Sequence, residues 1–223
     1  MIVPCENIRW ETQATEWFNQ YHQSPEAQRD WETWQAPYRQ GVLAGVDLLR
    51  APSVFEVGCG AGPNLRLLQQ ARPHLRLGGS EPATHPRLWA SEHLGLSIQS
   101  GPLPATLPGA EWDVVLSCYV MAYTNKKDVQ SVLERCPTRG LILMEPEAAK
   151  APDFIHDDQA QDGKWGHPHA HWNYREMLRD TGWHLWWVWP LPWQNCAMAP
   201  TSILLATREE TSNHVRDTDT RSV

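Results

Sequence analysis

Apolar positions recur along the chain with two different periods, and the change between them falls near residue 50. The first stretch is helical. Ser24-Pro25-Glu26 reads as a capping residue, a proline at the first helical position and an acid in the first turn. Pro37 breaks or restarts that helix. Val42, Leu43, Val46 and Leu49 then recur at helical spacing and predict one buried face. Trp17, Phe18 and Tyr21 form a shorter amphipathic turn upstream. From residue 53 short apolar runs alternate with helical segments. Strands are predicted at Val54–Val57, Leu75–Ser80, Leu96–Gln99, Trp112–Ser117 and Leu141–Glu145, and helices at Asn64–Ala71, Arg87–His93 and Lys127–Arg135. A helix over Asn173–Asp180, capped by Gly182, leads to two more strands, Trp183–Trp189 and Ser202–Thr207. Such alternation predicts an α/β fold, a mostly parallel sheet with helices on both faces. The last two strands are joined without a helical pattern, which predicts an antiparallel final strand. The chain therefore divides into a helical cap (1–50), an α/β domain (51–208) and a polar tail (209–223) expected to be disordered.

At 223 residues and 41% hydrophobic content, one substantial core is expected. No run approaches the roughly 18 to 20 apolar residues of a membrane helix. The opening MIVPCENIRWETQ has no basic region followed by an apolar one, so no secretory signal is read there. Cys5, Cys59, Cys118, Cys136 and Cys196 are odd in number, widely spaced and without a CxxC pair, which predicts free thiols and a cytoplasmic location. The net charge of −7, with no basic stripe, disfavours nucleic acid as a partner.

The most informative segment is Phe55-Glu56-Val57-Gly58-Cys59-Gly60-Ala61-Gly62-Pro63. An apolar strand ends in a glycine-rich turn, and proline opens the next helix. Glycine is needed where a backbone turns sharply and lets a ligand approach, and backbone amides then converge at a helix N-terminus. The dinucleotide fingerprint G-x-G-x-x-G would demand glycine at position 63, where this chain has Pro63. An oxidoreductase using a nicotinamide cofactor is disfavoured on that ground.

The spacing found, G-x-G-x-G led by Glu56, resembles the first motif of the class I S-adenosylmethionine-dependent methyltransferases. Leu75-Arg76-Leu77-Gly78-Gly79-Ser80-Glu81-Pro82 adds the acid expected at the end of the next strand. The resemblance runs from about Val54 to Thr207. It implies a Rossmann-like three-layer sandwich with a seven-stranded sheet and S-adenosylmethionine as cofactor. By analogy Glu56 would engage the methionine amino group, and Gly58, Gly60 and Gly62 would shape the loop around the methionyl chain. Glu81 would accept hydrogen bonds from the two ribose hydroxyls, as an acceptor-only carboxylate can. Gly101 and Leu103 would border the adenine, while Ser117, Cys118 and Tyr119 would line the other side. Cys59, Asn64 and Pro82, within or beside the same turns, complete the cofactor set. The chain departs from many members in two places. The loop Ser100-Gly101-Pro102-Leu103 lacks an aspartate for the adenine amino group, and Tyr123 stands where many small-molecule enzymes carry histidine. The place of the acid- or asparagine-led Pro-Pro-aromatic motif of nucleic-acid amino-methyltransferases reads Ser117-Cys118-Tyr119-Val120, which disfavours that subclass.

The resemblance implies methyl transfer to an oxygen or nitrogen of a small molecule. The alternative is a catalytically silent protein that keeps the cofactor pocket as a scaffold. A base is needed only when the acceptor arrives protonated. Three histidines at alternate positions, His167, His169 and His171, would project to one side of an extended segment. His169, His171 and Tyr123 are the catalytic candidates, with His156 and His167 left open, and no metal site is assigned. More than half of the 13 tryptophans lie between Trp165 and Trp193. Those of Trp183–Trp189 alternate onto both faces of a strand, which assigns most of them to core packing. A homodimer interface or a substrate wall is the second assignment. Trp10, Trp17, Tyr21 and His22 either close the pocket or pack against the sheet edge.

Overall fold

The computed structural model describes residues 15–16, 18–19, 38–146, 154–156, 169–191 and 201–208. Among these, strands β1 (Ser53–Val57), β2 (Arg76–Ser80), β3 (Ile98–Gln99), β4 (Val114–Cys118), β5 (Gly140–Pro146), β8 (His184–Pro190) and β9 (Thr201–Thr207) form one sheet in the order β3-β2-β1-β4-β5-β9-β8. All neighbours from β3 to β5 are parallel. β9 runs antiparallel to both β5 and β8, so it is the single reversed strand of the sheet. A separate two-stranded ribbon pairs β6 (Phe154–His156) with β7 (His169–His171).

The helices are α1 (residues 38–49), α2 (Pro63–Ala71), α3 (Thr84–Leu94), α4 (Lys126–Arg135) and α5 (Tyr174–Asp180). They lie in two layers because the order reverses between β1 and β4, and right-handed crossovers on either side of that point fall on opposite faces. The alternation of each strand then sorts its side chains. Val54, Leu116, Ile142 and Ile203 bury against Val42 and Val46 of α1 and Leu68 of α2. Phe55, Val115, Leu143 and Leu204 bury against Val132 of α4 and Leu178 of α5. The predicted apolar face of residues 42–49 is thus realised, and α1, assigned by sequence to the cap, belongs to the core of the sheet domain.

Most elements begin within a few residues of where they are predicted. α3 starts at Thr84 rather than Arg87, with Pro86 in its first turn. Proline is tolerated there because the first amides of a helix have no acceptor within it. β8 carries an irregularity between Leu185 and Trp187, and Trp186 is 67% exposed. The tryptophans of this strand are therefore divided. Trp183, just before it, is buried with its Nε1 donating to Leu133 O, and Trp186 and Trp187 are exposed. No helix among the described residues is long and apolar enough to cross a membrane. The predicted helix at Ser24, the residues Trp10, Trp17, Tyr21, His22 and His167, and the tail from 209 lie outside the described residues.

Candidate functional site

The reversal of strand order places a crevice beyond the carboxyl ends of β1 and β4, the position where open α/β sheets bind ligands. The glycine loop lies there. Gly58, Gly60 and Gly62 all take positive φ, at 60°, 55° and 73°. A Cβ on Gly58 would come within 2.5 Å of Val120 Cγ2, whereas one on Gly60 would meet no atom within 4 Å. Gly60 therefore offers the open face of the loop, and Gly58 the packed one. Cys59 N donates to Ser80 O at 2.9 Å, and Gly62 caps α2. The Cys59 side chain turns inward, against Leu65, Ala90 and Leu94, and burial pushes its thiol well up.

Two carboxylates flank this loop. Glu56, on β1, is 2% exposed, and Asn64 Nδ2 donates to its Oε1 at 2.7 Å. Its Oε2 is buried and has no hydrogen-bond partner among the described residues. Burial pushes the Glu56 carboxyl up to about 8, against the Asn64 bond and the charge of Arg39. Glu81 follows β2. Its Oε2 accepts from Gly60 N at 2.9 Å and its Oε1 from Ala83 N at 2.8 Å. These amides fix the carboxylate beside the loop, and each oxygen keeps a further acceptor position. Burial raises its pKa and the two amides oppose the rise. Pro82 is half-buried next to it.

Beyond β4 the sheet register separates Ser117 from Cys118. Ser117 pairs with Val57 and Leu116 with Glu56, so Ser117 lies on the face opposite Glu56. Its hydroxyl is fully buried and donates to Glu145 Oε1 at 2.7 Å. Of the residues expected along the crevice here, the side chain of Cys118 is on the Glu56 face and that of Ser117 on the opposite one. Tyr119, a non-glycine residue at φ 55°, turns the chain there. Its hydroxyl bonds to Thr201 Oγ1 at 2.9 Å, and burial drives its pKa upward. After it, Met121–Tyr123 form a 3-10 turn. Glu145 Oε1 accepts from Val120 N (3.0 Å) and Met121 N (3.1 Å), and its Oε2 from Ala122 N (3.3 Å). Desolvation still pushes its carboxyl up. Sequence patterning does not single out Glu145, because its partners come from a strand end and turn more than twenty residues away.

No protein-family model and no curated protein matches this sequence. Solved structures do. A Burkholderia thailandensis 1,6-didemethyltoxoflavin-N1-methyltransferase, with bound 1,6-didemethyltoxoflavin and S-adenosylhomocysteine, is 17% identical with a TM-score of 0.65, over 93% of this chain and 91% of that one. A Synechocystis magnesium protoporphyrin IX methyltransferase with bound S-adenosylmethionine is 20% identical with a TM-score of 0.60, over 88% of this chain and 91% of the other. A mitomycin 7-O-methyltransferase is 18% identical with a TM-score of 0.57, over 92% of this chain and 69% of the other. The fold is that of the class I methyltransferases.

In this methyltransferase fold the remaining predicted residues fall at the same end of the sheet or along its border. Gly101, at φ 134°, opens the loop after β3, and Thr106 Oγ1 donates back to its carbonyl at 3.3 Å. Leu103 packs against the core cluster on the α4 side. Tyr123 closes the 3-10 turn and is half-buried. His169 and His171 lie on β7, where His169 pairs with His156 and His171 with Phe154. Trp172 follows directly, and its Nε1 donates to Met121 O at 3.1 Å. The histidine ribbon is therefore tied to the turn that carries Tyr123. Among the described residues no group of three or more side chains is arranged to hold a metal ion.

Proposed function

We propose that this chain is an S-adenosylmethionine-dependent methyltransferase that acts on an oxygen or nitrogen of a small molecule. The observation that carries the reading is the unsatisfied Glu56 Oε2, buried beside an open glycine loop and across from a second oriented carboxylate, Glu81. A buried acceptor without a partner is costly, and an ammonium donor relieves that cost. Glu56 would thus hold the cofactor's amino group, and the spare acceptor positions of Glu81 would hold its ribose hydroxyls. Gly60 allows the close approach that a Cβ would prevent. When bound, the cofactor supplies a methyl group on a positively charged sulfur.

Because that methyl is already activated, the protein's task is largely to place the acceptor in line. Tyr123 and the β7 residues His169 and His171 border the same turn and are the candidates to take a proton from the acceptor. The fold neighbours include enzymes named for 1,6-didemethyltoxoflavin, magnesium protoporphyrin IX and mitomycin, which supports a small-molecule acceptor.

Titration of the purified protein with S-adenosylmethionine, S-adenosylhomocysteine and NAD in a calorimeter tests this reading. Micromolar binding of the first two and none of NAD is the expected result. Binding of NAD alone would sink it. Glu81→Ala is expected to weaken S-adenosylmethionine by more than about tenfold, and unchanged affinity would remove the ribose role. Cofactor binding without turnover across a broad acceptor screen would favour the scaffold alternative.

A further inference from the structure

The end of the sheet opposite the crevice carries a cleft of about 310 Å³, between the carboxyl ends of α1 and α2 and the starts of β1 and β2. Val46, Ala51 and Leu75 form its apolar part. Asp47, Arg50, Arg72 and His74 form its charged rim. Two of these are matched to each other: Arg72 Nε donates to Asp47 Oδ1 at 2.9 Å and Nη2 to Oδ2 at 2.6 Å. Arg72 Nη1 donates to Ala71 O at 2.7 Å. Arg50 is a rim cation whose side chain has no partner among the described residues. Its backbone is also strained. α1 closes with Arg50 N donating to Asp47 O at 3.1 Å and Ala51 N to Val46 O at 3.3 Å. Such a turn needs a left-handed residue at position 50, and Arg50 takes φ 47°. α5 closes with the same two bonds, Gly182 N to Arg179 O and Trp183 N to Leu178 O, and there the left-handed residue is glycine. α3 likewise ends on Gly95, at φ 65°.

An arginine therefore holds a place that glycine fills without strain, on the rim of an apolar cleft. The field of the helix end does not account for it. A cation does complement the partial negative charge of a helix carboxyl end, but any position of the last turn serves that purpose. Leu48, in that turn and 59% exposed, offers such a position with an ordinary backbone. What position 50 adds is the cleft. We propose that this cleft is a second binding site, separate from the crevice, for a small carboxylate with an apolar body, and that Arg50 is its anion-binding residue. A guanidinium fork gives a carboxylate two parallel donors. His74 stands on the same rim as a further donor, and Val46, Ala51 and Leu75 receive the apolar body. Asp47 does not repel the incoming anion, because Arg72 already neutralises it. The volume lies at the lower end of the roughly 300–1,000 Å³ of small-molecule sites, which suits a single ring bearing its carboxylate.

The test uses the full chain, isotope-labelled for amide NMR, and three probes at up to about 10 mM: benzoate, its neutral amide benzamide, and inorganic phosphate. Benzoate is expected to shift the amide signals of Arg50, Ala51 and Leu75, and to bind at least about fivefold more tightly than either of the others. Arg50→Gly is expected to weaken benzoate by at least about tenfold while raising the thermal midpoint by roughly 2–4 °C, because glycine relieves the left-handed strain. Arg50→Lys is expected to keep part of the affinity, since it retains the charge without the fork. No response to benzoate at these amides would overturn the proposal. So would phosphate binding as tightly as benzoate, which marks a loose group of surface cations, or unchanged benzoate affinity in Arg50→Gly. A lowered midpoint in Arg50→Gly would overturn it as well, since the arginine would then be serving the helix end. Neither readout depends on what the crevice binds.

Discussion

Glu56 and Glu145 are both carboxylates sealed inside the same sheet, at 2% and 0% exposure, and they have been given opposite surroundings. Glu145 receives one hydroxyl and three backbone amides, and its oxygens are all engaged. Glu56 receives one side-chain amide on Oε1 and nothing on Oε2 among the described residues. Burial raises both pKa values, so desolvation does not distinguish them. What does is completeness. A buried carboxyl with all its acceptor positions filled holds a turn in shape, and one with an open position can still accept a donor. The two residues lie on opposite faces of the sheet, one toward α1 and α2, the other toward α4, and each follows from the alternation of its strand.

The sharpest way to break this comparison is Glu145→Ala. Three amides and the Ser117 hydroxyl lose their acceptor in a dry environment, with an expected stability loss of about 3–5 kcal/mol in urea unfolding. A loss below about 1 kcal/mol would show that the network does not support the turn. Glu56→Gln is expected to do the reverse, keeping stability at pH 5 within about 1 kcal/mol while weakening S-adenosylmethionine by more than about tenfold. Its second effect is on pH. With the Glu56 carboxyl raised from 4.5 to about 8, the folded protein retains a proton that the unfolded chain releases over that range. Its contribution to stability is full below 4.5 and is lost as pH rises through about 8. Unfolding free energies of the unmodified protein and Glu56→Gln, measured from pH 5 to 9, should therefore diverge with rising pH, the unmodified protein losing more. Parallel curves would mean the carboxyl is not raised. Ser117→Ala removes one of the four donors to Glu145 and should cost about 1 kcal/mol without changing cofactor affinity. His171→Ala should leave stability and cofactor binding unaltered. Full turnover in that variant, once an acceptor is known, would strike it from the catalytic candidates.

Much of the frame was legible because it is written locally. The strand at Val54–Val57, the loop glycines and Pro63 lie within ten residues, and their backbone demands can be read from residue type. The antiparallel final strand was legible from a missing helical pattern. Other features depend on distance in sequence. Glu145 acquires its meaning from amides at 120–122, a separation that no periodicity encodes. Ser117 and Cys118, both expected along the crevice, are instructive. The period of two that predicts β4 also assigns Ser117 and Cys118 to opposite faces, so choosing between them needed only the register with Glu56. The β6–β7 ribbon escaped because its three-residue strands are too short for alternation to register.

The position of β9 has a consequence for how the molecule is made. It is the last strand in chain order among the described residues, yet it lies inside the sheet, between β5 and β8. During synthesis β5 and β8 emerge earlier and cannot touch each other, since the slot between them is filled only by residues 201–207. The nascent chain therefore carries the exposed apolar edge of β5, with Leu141 and Leu143, until the final strand enters. A chain cut before Thr201 would forfeit two strands rather than one, because β8 has no other neighbour in the sheet among the described residues.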